Sequence, residues 1–273
     1  SFDDAQAMVK RLFGDAEARS ALTLSAVNSI NWARLMAQVV YYFYAAVRLG
    51  APDRAIAFSV PTGNFGDVFA GYVAARMGLP VARLVVATNV NDILHRALSR
   101  GDYSAGSVTA TATPSMDIQV SSNFERLLFD LAGRDGAAID AMMAEFDRSR
   151  AMSIPEDMLA GARDLFSSAR IDADGMTLAL RWAQEHGGQI IDPHSAVGLA
   201  AARALDIDAD VPVVTLATAH PAKFRDAVER ATGVRPALPA RLGNLFDREE
   251  RYEKLPGDYD AVKAHILREA ARG

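Results

Sequence analysis

The sequence predicts an α/β fold with a mainly parallel sheet and helices on both faces. Three short apolar runs, residues 55–60, 83–87 and 211–216, have the length and composition of buried parallel strands. Segments with helical spacing of apolar residues lie between them, and several end at glycine or proline. Strands that alternate with helices in this way are typical of a parallel sheet covered by helical layers.

The first part of the chain is predicted to be helical. A short helix is expected over residues 4–13, followed by a connector that lasts to about residue 27. A longer helix then begins, with Asn28 or Ser29 as its N-cap, because a side-chain oxygen there can accept from the free amides of the first turn. Gly50 is its predicted C-terminal stop.

A strand–helix–strand unit is predicted over residues 55–87. Its first strand leads through the loop Pro61-Thr-Gly-Asn-Phe-Gly-Asp67 straight into a helix that ends near Met77, before Gly78. Short helical insertions separated by glycine, serine and proline are expected over residues 88–150.

The alternation of helix and strand resumes after a polar helical connector at residues 146–175. Around the third apolar run we predict a helix from Met176 to His186, a very short strand at residues 189–191, and helices over residues 195–205, 221–231 and 259–271.

Composition excludes several classes of function. Lys and Arg total 29 against 34 for Asp and Glu, a net charge of −5 without long runs of either sign, which argues against nucleic-acid and anionic-membrane partners. With no cysteine, the chain has neither disulfides nor thiolate metal sites, and no metal site is predicted. The acidic start does not resemble a secretory leader, so a cytoplasmic protein is expected.

The sharpest local feature is the glycine-containing stretch of that loop, Gly63, Asn64, Phe65, Gly66 and Asp67. Glycine lets the backbone approach an anion closely, and the first turn of a helix offers unpaired amides with partial positive charge. The spacing matches neither a Walker A motif nor a dinucleotide fingerprint. The alternative is a tight strand–helix turn that needs glycine for its geometry and binds nothing.

Several blocks of the sequence closely resemble those of threonine synthases, in the family's order and spacing from residue 2 to about residue 230. The blocks are Ala26-Val-Asn-Ser-Ile-Asn-Trp-Ala-Arg34, Val60-Pro-Thr-Gly-Asn-Phe-Gly-Asp67, Ala70-Gly71, Met77-Gly-Leu-Pro80, Ala87-Thr-Asn-Val-Asn-Asp92, Met116-Asp117, Ser122-Asn-Phe-Glu-Arg126 and Thr218-Ala-His-Pro-Ala-Lys-Phe224. Their joint occurrence makes the resemblance specific.

The resemblance implies a fold type II pyridoxal-phosphate enzyme that converts O-phospho-L-homoserine and water to L-threonine and phosphate. It implies that residues 63–67 bind the cofactor's phosphate and that the Thr218 hydroxyl contacts the pyridine nitrogen. The alternative for Thr218 is an N-cap of the helix that begins near Pro221.

The resemblance also implies a domain division. Residues 1–27 correspond to a remnant of the N-terminal small domain, and residues 28–145 to the first part of the pyridoxal-phosphate-binding domain. Residues 146–175 form the helical connector, and residues 176–273 the remainder of that large domain with a helical tail.

Substrate contacts are predicted at Asn28, Ser29, Asn31 and Arg34, because a substrate phosphate needs donors and a fixed cation. The alternative is that Asn28 or Ser29 only caps the helix and Arg34 forms an ordinary ion pair. Of the histidines, His95 and His186 are predicted on the surface, and His194 and His220 near the cofactor face in structural roles.

The chemistry of the family needs a lysine that forms a Schiff base with the cofactor and then moves protons. In the family that lysine stands in a Lys-Asp context well before the block that begins at Phe2, so it is expected upstream of Ser1. None of Lys10, Lys223, Lys254 and Lys263 has that context. Lys223 follows closely after Thr218 and is interpreted as a helix-start lysine.

Two other functions stay open at the sequence level. One is a non-catalytic phosphate-binding or regulatory module that keeps the loop and lacks the lysine. The other is a different lyase of the same fold, such as a threonine dehydratase or a cysteine synthase, which the Ser-Ile-Asn-Trp-Ala-Arg and Ala-His-Pro-Ala-Lys-Phe blocks disfavour. The expected partner is a small molecule, and both a monomer and a homodimer are compatible with the sequence.

Overall fold

The computed structural model describes residues 2–25 and 28–271. Two compact units are present: residues 28–237 form the larger one, and residues up to 27 together with those from 238 onward form the smaller one. The domain boundaries at residues 145 and 175 stay a prediction. Among the described residues no helix combines the length and the apolar character needed to cross a membrane.

The larger unit carries nine α-helices among its described residues. They are α3 (Trp32–Arg48), α4 (Gly66–Arg76), α5 (Ile93–Arg100), α6 (Phe124–Leu131), α7 (Gly136–Ser149), α8 (Glu156–Arg163), α9 (Ala173–Gly187), α10 (Pro193–Ala204) and α11 (Arg225–Thr232). The smaller unit contains α1 (Phe2–Gly14), α2 (Ala16–Ala21) and α12 (Tyr259–Ala270).

A four-stranded parallel sheet forms the centre of the larger unit. Its strands are β1 (Ile56–Pro61), β2 (Val81–Thr88), β5 (Phe166–Arg170) and β6 (Val213–Thr215), in the order β5-β2-β1-β6. The predicted α/β class and the mainly parallel sheet are therefore confirmed. A small antiparallel pair, β3 (Asp102–Ser104) with β4 (Ala151–Ser153), lies apart from this sheet.

Two expectations about strands are wrong. The connector at residues 146–175 contains β4 and β5 as well as helix. Residues 189–191 do not form a strand; the Gln189 amide instead donates to the Ala183 carbonyl, closing the end of α9, and the chain then runs without regular structure to α10.

Helices cover both faces of the sheet, as the alternation along its strands requires. In β2, Leu84 and Val86 belong to one apolar cluster with residues of α3 and α4, whereas Val85 and Ala87 belong to another with residues of α9 and α10. Successive side chains of a strand point to opposite faces. The sheet therefore lies between two helical layers, and the loops that follow its parallel strands all emerge at one edge.

The smaller unit is held together by contacts around Asp15. Its carboxylate caps α2 by accepting from the Ala18 amide at 3.0 Å. It also accepts from the Tyr259 hydroxyl at 2.9 Å and from the Lys263 ammonium at 2.8 Å, both on α12. Hydrogen bonds from Lys263, Ala18 and Tyr259 hold the pKa of Asp15 well below its ordinary value.

Candidate functional site

The predicted anion-binding loop leaves β1 and enters α4 through a left-handed turn at Phe65, where φ is 67°. This conformation is costly for a bulky residue. It is held by packing, since the buried Phe65 ring contacts those of Phe124 and Phe166 at centroid distances of 5.2 and 5.7 Å. The turn lets α4 begin immediately beyond the carboxyl end of β1, where its first amides carry partial positive charge.

Both glycines of the loop are close to other parts of the chain. A Cβ added at Gly63 would lie 2.6 Å from the carbonyl oxygen of Ser115, and one added at Gly66 would lie 2.7 Å from Cβ of Ser29. Packing alone therefore requires glycine at both positions. The structure therefore shows the tight strand–helix turn that needs glycine for its geometry. Anion binding by the loop stays a prediction.

Hydrogen bonds join the loop to Ser29. The Asn64 side-chain oxygen accepts from the Gly66 amide at 3.1 Å, while its Nδ2 donates to the Ser29 hydroxyl at 2.9 Å. Nδ2 of Asn123 donates to the same hydroxyl at 2.9 Å and to the Asn64 carbonyl at 3.1 Å. Ser29 thus belongs to the loop rather than to the end of a helix.

The cap of α3 is Asn31, so the expectation of Asn28 or Ser29 is wrong. The Asn31 side chain accepts from the Ala33 amide at 3.0 Å, and the Asn28 side chain closes a tight turn by accepting from the Ile30 amide at 3.1 Å. Asn31 precedes the helix as its cap, and Arg34 is exposed on the first turn of α3. Ala26 and Val27, which open this sequence block, lie outside the described residues.

Asp67 faces α3 and not the loop. Its carboxylate accepts from the Tyr41 hydroxyl at 2.5 Å and from the Tyr42 hydroxyl at 3.1 Å. Burial raises the pKa of Asp67 above its ordinary value, although both hydroxyls act in the opposite direction. A contact between this carboxylate and a cofactor phosphate is therefore disfavoured, and only the Asp67 backbone stays a candidate.

Thr218 lies shortly after β6, which pairs with β1 in the register Ala57 to Val213. The loops that follow these two neighbouring strands share one edge, so Thr218 and the Gly63 loop emerge on the same side of the sheet. The Thr218 amide donates to the Ser195 hydroxyl at 3.1 Å, and the residue is exposed. The alternative role as an N-cap belongs instead to His220, whose Nδ1 accepts from the Ala222 amide at 3.1 Å.

A buried polar network at the end of β2 has no counterpart in the predicted site. The Asn89 side-chain amide lies 2.7 Å from Asp117, 2.8 Å from Thr113 and 3.0 Å from Thr111, and Asn91 also donates to Asp117, at 3.0 Å. The network fixes the segment around Ser115, whose carbonyl contacts Gly63. Two asparagines directly after a buried strand were a signal for it.

A second cluster, Asp192, His194 and Ser195, lies at the start of α10 and is almost fully buried. His194 was predicted in a structural role near the cofactor face, and Asp192 and Ser195 were missed. An Asp-Pro pair that opens a helix could have indicated the cap, but only the fold shows which loops the three residues reach.

Comparisons with known proteins find threonine synthases. The family model for the threonine synthase C-terminal region matches residues 195–266. The chain is 51% identical to a threonine synthase of Pseudomonas aeruginosa over 274 aligned residues, which cover 100% of this chain and 58% of that protein. The crystal structure of pyridoxal-phosphate-bound threonine synthase from Brucella melitensis superposes with a TM-score of 0.90 at 51% identity, again over 100% of this chain and 58% of the other. Yeast threonine synthase gives a TM-score of 0.86 at 37% identity with the same coverage.

Along its whole length this chain is similar to threonine synthases. It spans 58% of the length of these relatives. The structural matches also place its α/β architecture among fold type II threonine synthases, as the resemblance implied.

The described lysines of this chain have distinct environments. Lys223 is exposed, with its ammonium 5.7 Å from the Phe224 ring, and Lys10 and Lys254 are exposed in the smaller unit. Lys263 is paired with Asp15 and Glu17.

Two histidines were predicted on the surface of the chain. His186 is exposed, whereas His95 is half-buried, with Nδ1 3.0 Å from the Ser168 hydroxyl. Burial lowers the pKa of His95.

Proposed function

We propose that this chain is the C-terminal part of a threonine synthase, which converts O-phospho-L-homoserine and water to L-threonine and phosphate with pyridoxal phosphate. The observation that carries the proposal is the match over 100% of the chain, at 51% identity and a TM-score of 0.90, to a threonine synthase with bound pyridoxal phosphate. In chemical class this is a carbon–oxygen lyase reaction that releases phosphate.

The loop at residues 63–67 and Thr218 are the proposed cofactor contacts. The donor set suits the group: amides at the start of α4 complement a phosphate, and the exposed Thr218 hydroxyl can meet a ring nitrogen as a neutral partner. Both lie at the carboxyl edge of neighbouring strands. When bound, pyridoxal phosphate supplies an electron sink for the substrate's α-carbon.

The segment of Asn28, Ser29, Asn31 and Arg34 is the proposed substrate side of the site. Ser29 already bonds the side chain of Asn64, which connects this segment to the loop. Arg34 is an exposed cation next to the Asn31 cap, and a guanidinium there can pair with the substrate's phosphate. A cytoplasmic location, a monomeric or homodimeric state, and a covalent lysine outside the four of this chain stay predictions.

The loop is tested by Asn64→Asp in the full-length protein. Aspartate keeps an oxygen for the Gly66 amide and can accept from the Ser29 hydroxyl, so the turn is retained while one negative charge is added. We expect affinity for pyridoxal phosphate to fall by roughly tenfold to a hundredfold, as Coulomb repulsion at short range implies. The control Gln184→Glu adds the same charge on α9 and should leave the affinity near that of the wild type.

Equal cofactor affinity in Asn64→Asp and the wild type would remove the loop from the site. The reaction is tested separately by supplying O-phospho-L-homoserine to the loaded wild-type protein and measuring products. Phosphate and L-threonine in equal amounts support the proposal. Release of ammonia when L-threonine is supplied in place of O-phospho-L-homoserine would favour a dehydratase, and cofactor binding without turnover of either compound would favour a regulatory module.

A further inference from the structure

The carboxylate of Asp192 is the centre of the cluster at the start of α10, and Asp192 has no exposed surface. It caps the helix by accepting from the His194 amide at 2.9 Å and from the Ser195 amide at 3.4 Å. It also accepts from the Ser195 hydroxyl and lies 3.0 Å from Nδ1 of His194. Burial alone would raise the pKa of Asp192, but the hydrogen bonds from His194 and Ser195 outweigh it and hold that pKa below the ordinary value.

Two further hydrogen bonds connect the cluster to two different loops. Nε2 of His194 accepts from the Ser115 amide at 3.3 Å, and the Ser195 hydroxyl accepts from the Thr218 amide at 3.1 Å. A backbone amide can only donate, so Nε2 is unprotonated and the proton of the neutral imidazole lies on Nδ1, facing Asp192.

The cluster is not a nucleophile of the Ser-His-Asp kind. In that arrangement the serine hydroxyl donates to the imidazole, which is in turn oriented by the carboxylate. Here the Ser195 hydroxyl donates directly to Asp192, and the imidazole is occupied on both sides, by Asp192 and Ser115. The side chains of His194 and Ser195 therefore connect Asp192 to the main-chain amides of Ser115 and Thr218.

The two loops that the cluster reaches are next to the two proposed cofactor contacts. Ser115 borders residues 63–67, the proposed phosphate-binding loop, hereafter the phosphate loop. A Cβ on Gly63 would lie 2.6 Å from the Ser115 carbonyl. Thr218 is itself the proposed partner of the ring nitrogen. One buried carboxylate is thus connected to both ends of the proposed cofactor site, through His194 in one direction and through Ser195 in the other.

We propose that Asp192 is a positioning residue that fixes the distance between the phosphate loop and Thr218, with His194 and Ser195 as its two arms. The assignment rests on the proposed function for the identity of the ligand, but the hydrogen bonds of the two arms are present in the structure whatever the ligand is. Each arm can therefore be broken separately, and each should loosen its own loop only.

The first test uses the cofactor-free full-length protein and amide hydrogen exchange of peptides that contain Ser115 or Thr218. Ser195→Ala removes the acceptor of the Thr218 amide and should speed exchange there by about tenfold or more, leaving Ser115 unchanged. His194→Asn keeps a donor for Asp192 and loses the acceptor at Nε2, so it should speed exchange at Ser115 alone. Asp192→Asn should affect both.

The matched control is Ser59→Ala. Ser59 is a buried serine of β1 whose hydroxyl donates to the Gly198 carbonyl of α10 at 2.6 Å, so it also joins the sheet to this helix. It should change exchange at neither loop. If all four variants speed exchange at both loops alike, or if none of the cluster variants does, the two-arm assignment is wrong.

The second test adds pyridoxal phosphate to the same variants. Ser195→Ala should shift the absorption of the bound cofactor, and His194→Asn should shift its phosphorus resonance, whereas a cluster that only stabilises the fold would lower the melting temperature and move neither signal. The absorption and phosphorus resonance of the cofactor could stay unchanged while amide exchange increases separately at Ser115 and at Thr218 as predicted. That result would confirm the two arms but overturn their role in positioning the cofactor. If no variant or wild-type protein binds pyridoxal phosphate, the proposed function fails and the exchange result still decides the arms.

Discussion

The two functional groups of Thr218 have different surroundings. Its amide is held by Ser195, and the residue itself is exposed at the edge of the sheet. The position of the main chain and the chemistry of the hydroxyl can therefore be separated by mutation.

We expect Thr218→Ala in the full-length protein to lower turnover by roughly fivefold, since it removes the proposed hydrogen bond to the cofactor ring, which is worth about 1 kcal/mol. The absorption of the bound cofactor should shift, and the melting temperature should stay close to that of the wild type. Thr218→Ser keeps the hydroxyl and serves as the control. An unchanged rate and spectrum in the alanine variant would exclude Thr218 from the site.

Single residues also show where sequence reasoning was incomplete. The glycines of the loop were predicted from their spacing, but their closest neighbours, Ser115 and Ser29, are far away along the chain. For the same reason Asp192 was missed. Its significance depends on Ser115 and Thr218, which only the folded sheet brings to it.

Among the elements, α3 and α4 are joined through Asp67, whose carboxylate accepts from Tyr41 and Tyr42. Because burial raises the pKa of Asp67 in the folded protein, the native state binds this proton more tightly than the unfolded chain. The corresponding stability is fully present below the ordinary carboxyl pKa. It is lost as the pH rises through the raised value.

We therefore expect the free energy of unfolding to decrease over that pH window in the wild type, and to decrease less in Asp67→Asn. Tyr42→Phe removes a buried donor from the carboxylate and should cost about 1–3 kcal/mol at neutral pH. Urea denaturation at a series of pH values measures both effects. Tyr44→Phe, an exposed tyrosine on the same helix, is the control, and an equal loss in the two tyrosine variants would contradict the role of Asp67.

The elements that were predicted correctly have strong local signals. The strands β1, β2 and β6 are apolar runs, and α4, the helix that follows the loop, ends at Arg76, just before Gly78, which has φ of 101°. The missed strand β5 has the sequence Phe-Ser-Ser-Ala-Arg and lies at an edge of the sheet. A strand at the edge can be largely polar, so no apolar run in the sequence marks it. Conversely, residues 189–191 are apolar in part but pair with none of the strands in the described part of the chain.

For the whole molecule, the question is which lysine can form the covalent link to the cofactor. Lys223 is the described lysine that follows most closely after Thr218, and it is exposed at the start of a short helical turn. In the proposed site Thr218 meets the ring nitrogen, which lies opposite the aldehyde-bearing carbon of the pyridine ring, so a lysine beside Thr218 would be at the wrong end of the cofactor.

We expect borohydride reduction of the loaded full-length protein, followed by peptide mapping, to find no pyridoxyl group on Lys10, Lys223, Lys254 or Lys263. Lys223→Arg should bind pyridoxal phosphate and be labelled to the same extent as the wild type. A pyridoxyl group on Lys223 would overturn both this assignment and the proposed placement of Thr218.

The contacts within the smaller unit determine when it can fold relative to the larger unit. Its bonds from Asp15 to Tyr259 and Lys263 join residues 244 and 248 positions apart in the chain. During synthesis, residues 28–237 emerge from the ribosome before α12 does, so the larger unit can fold first. The helix α2, which Asp15 caps, is therefore synthesised before the larger unit but receives its α12 partners only after that unit has emerged.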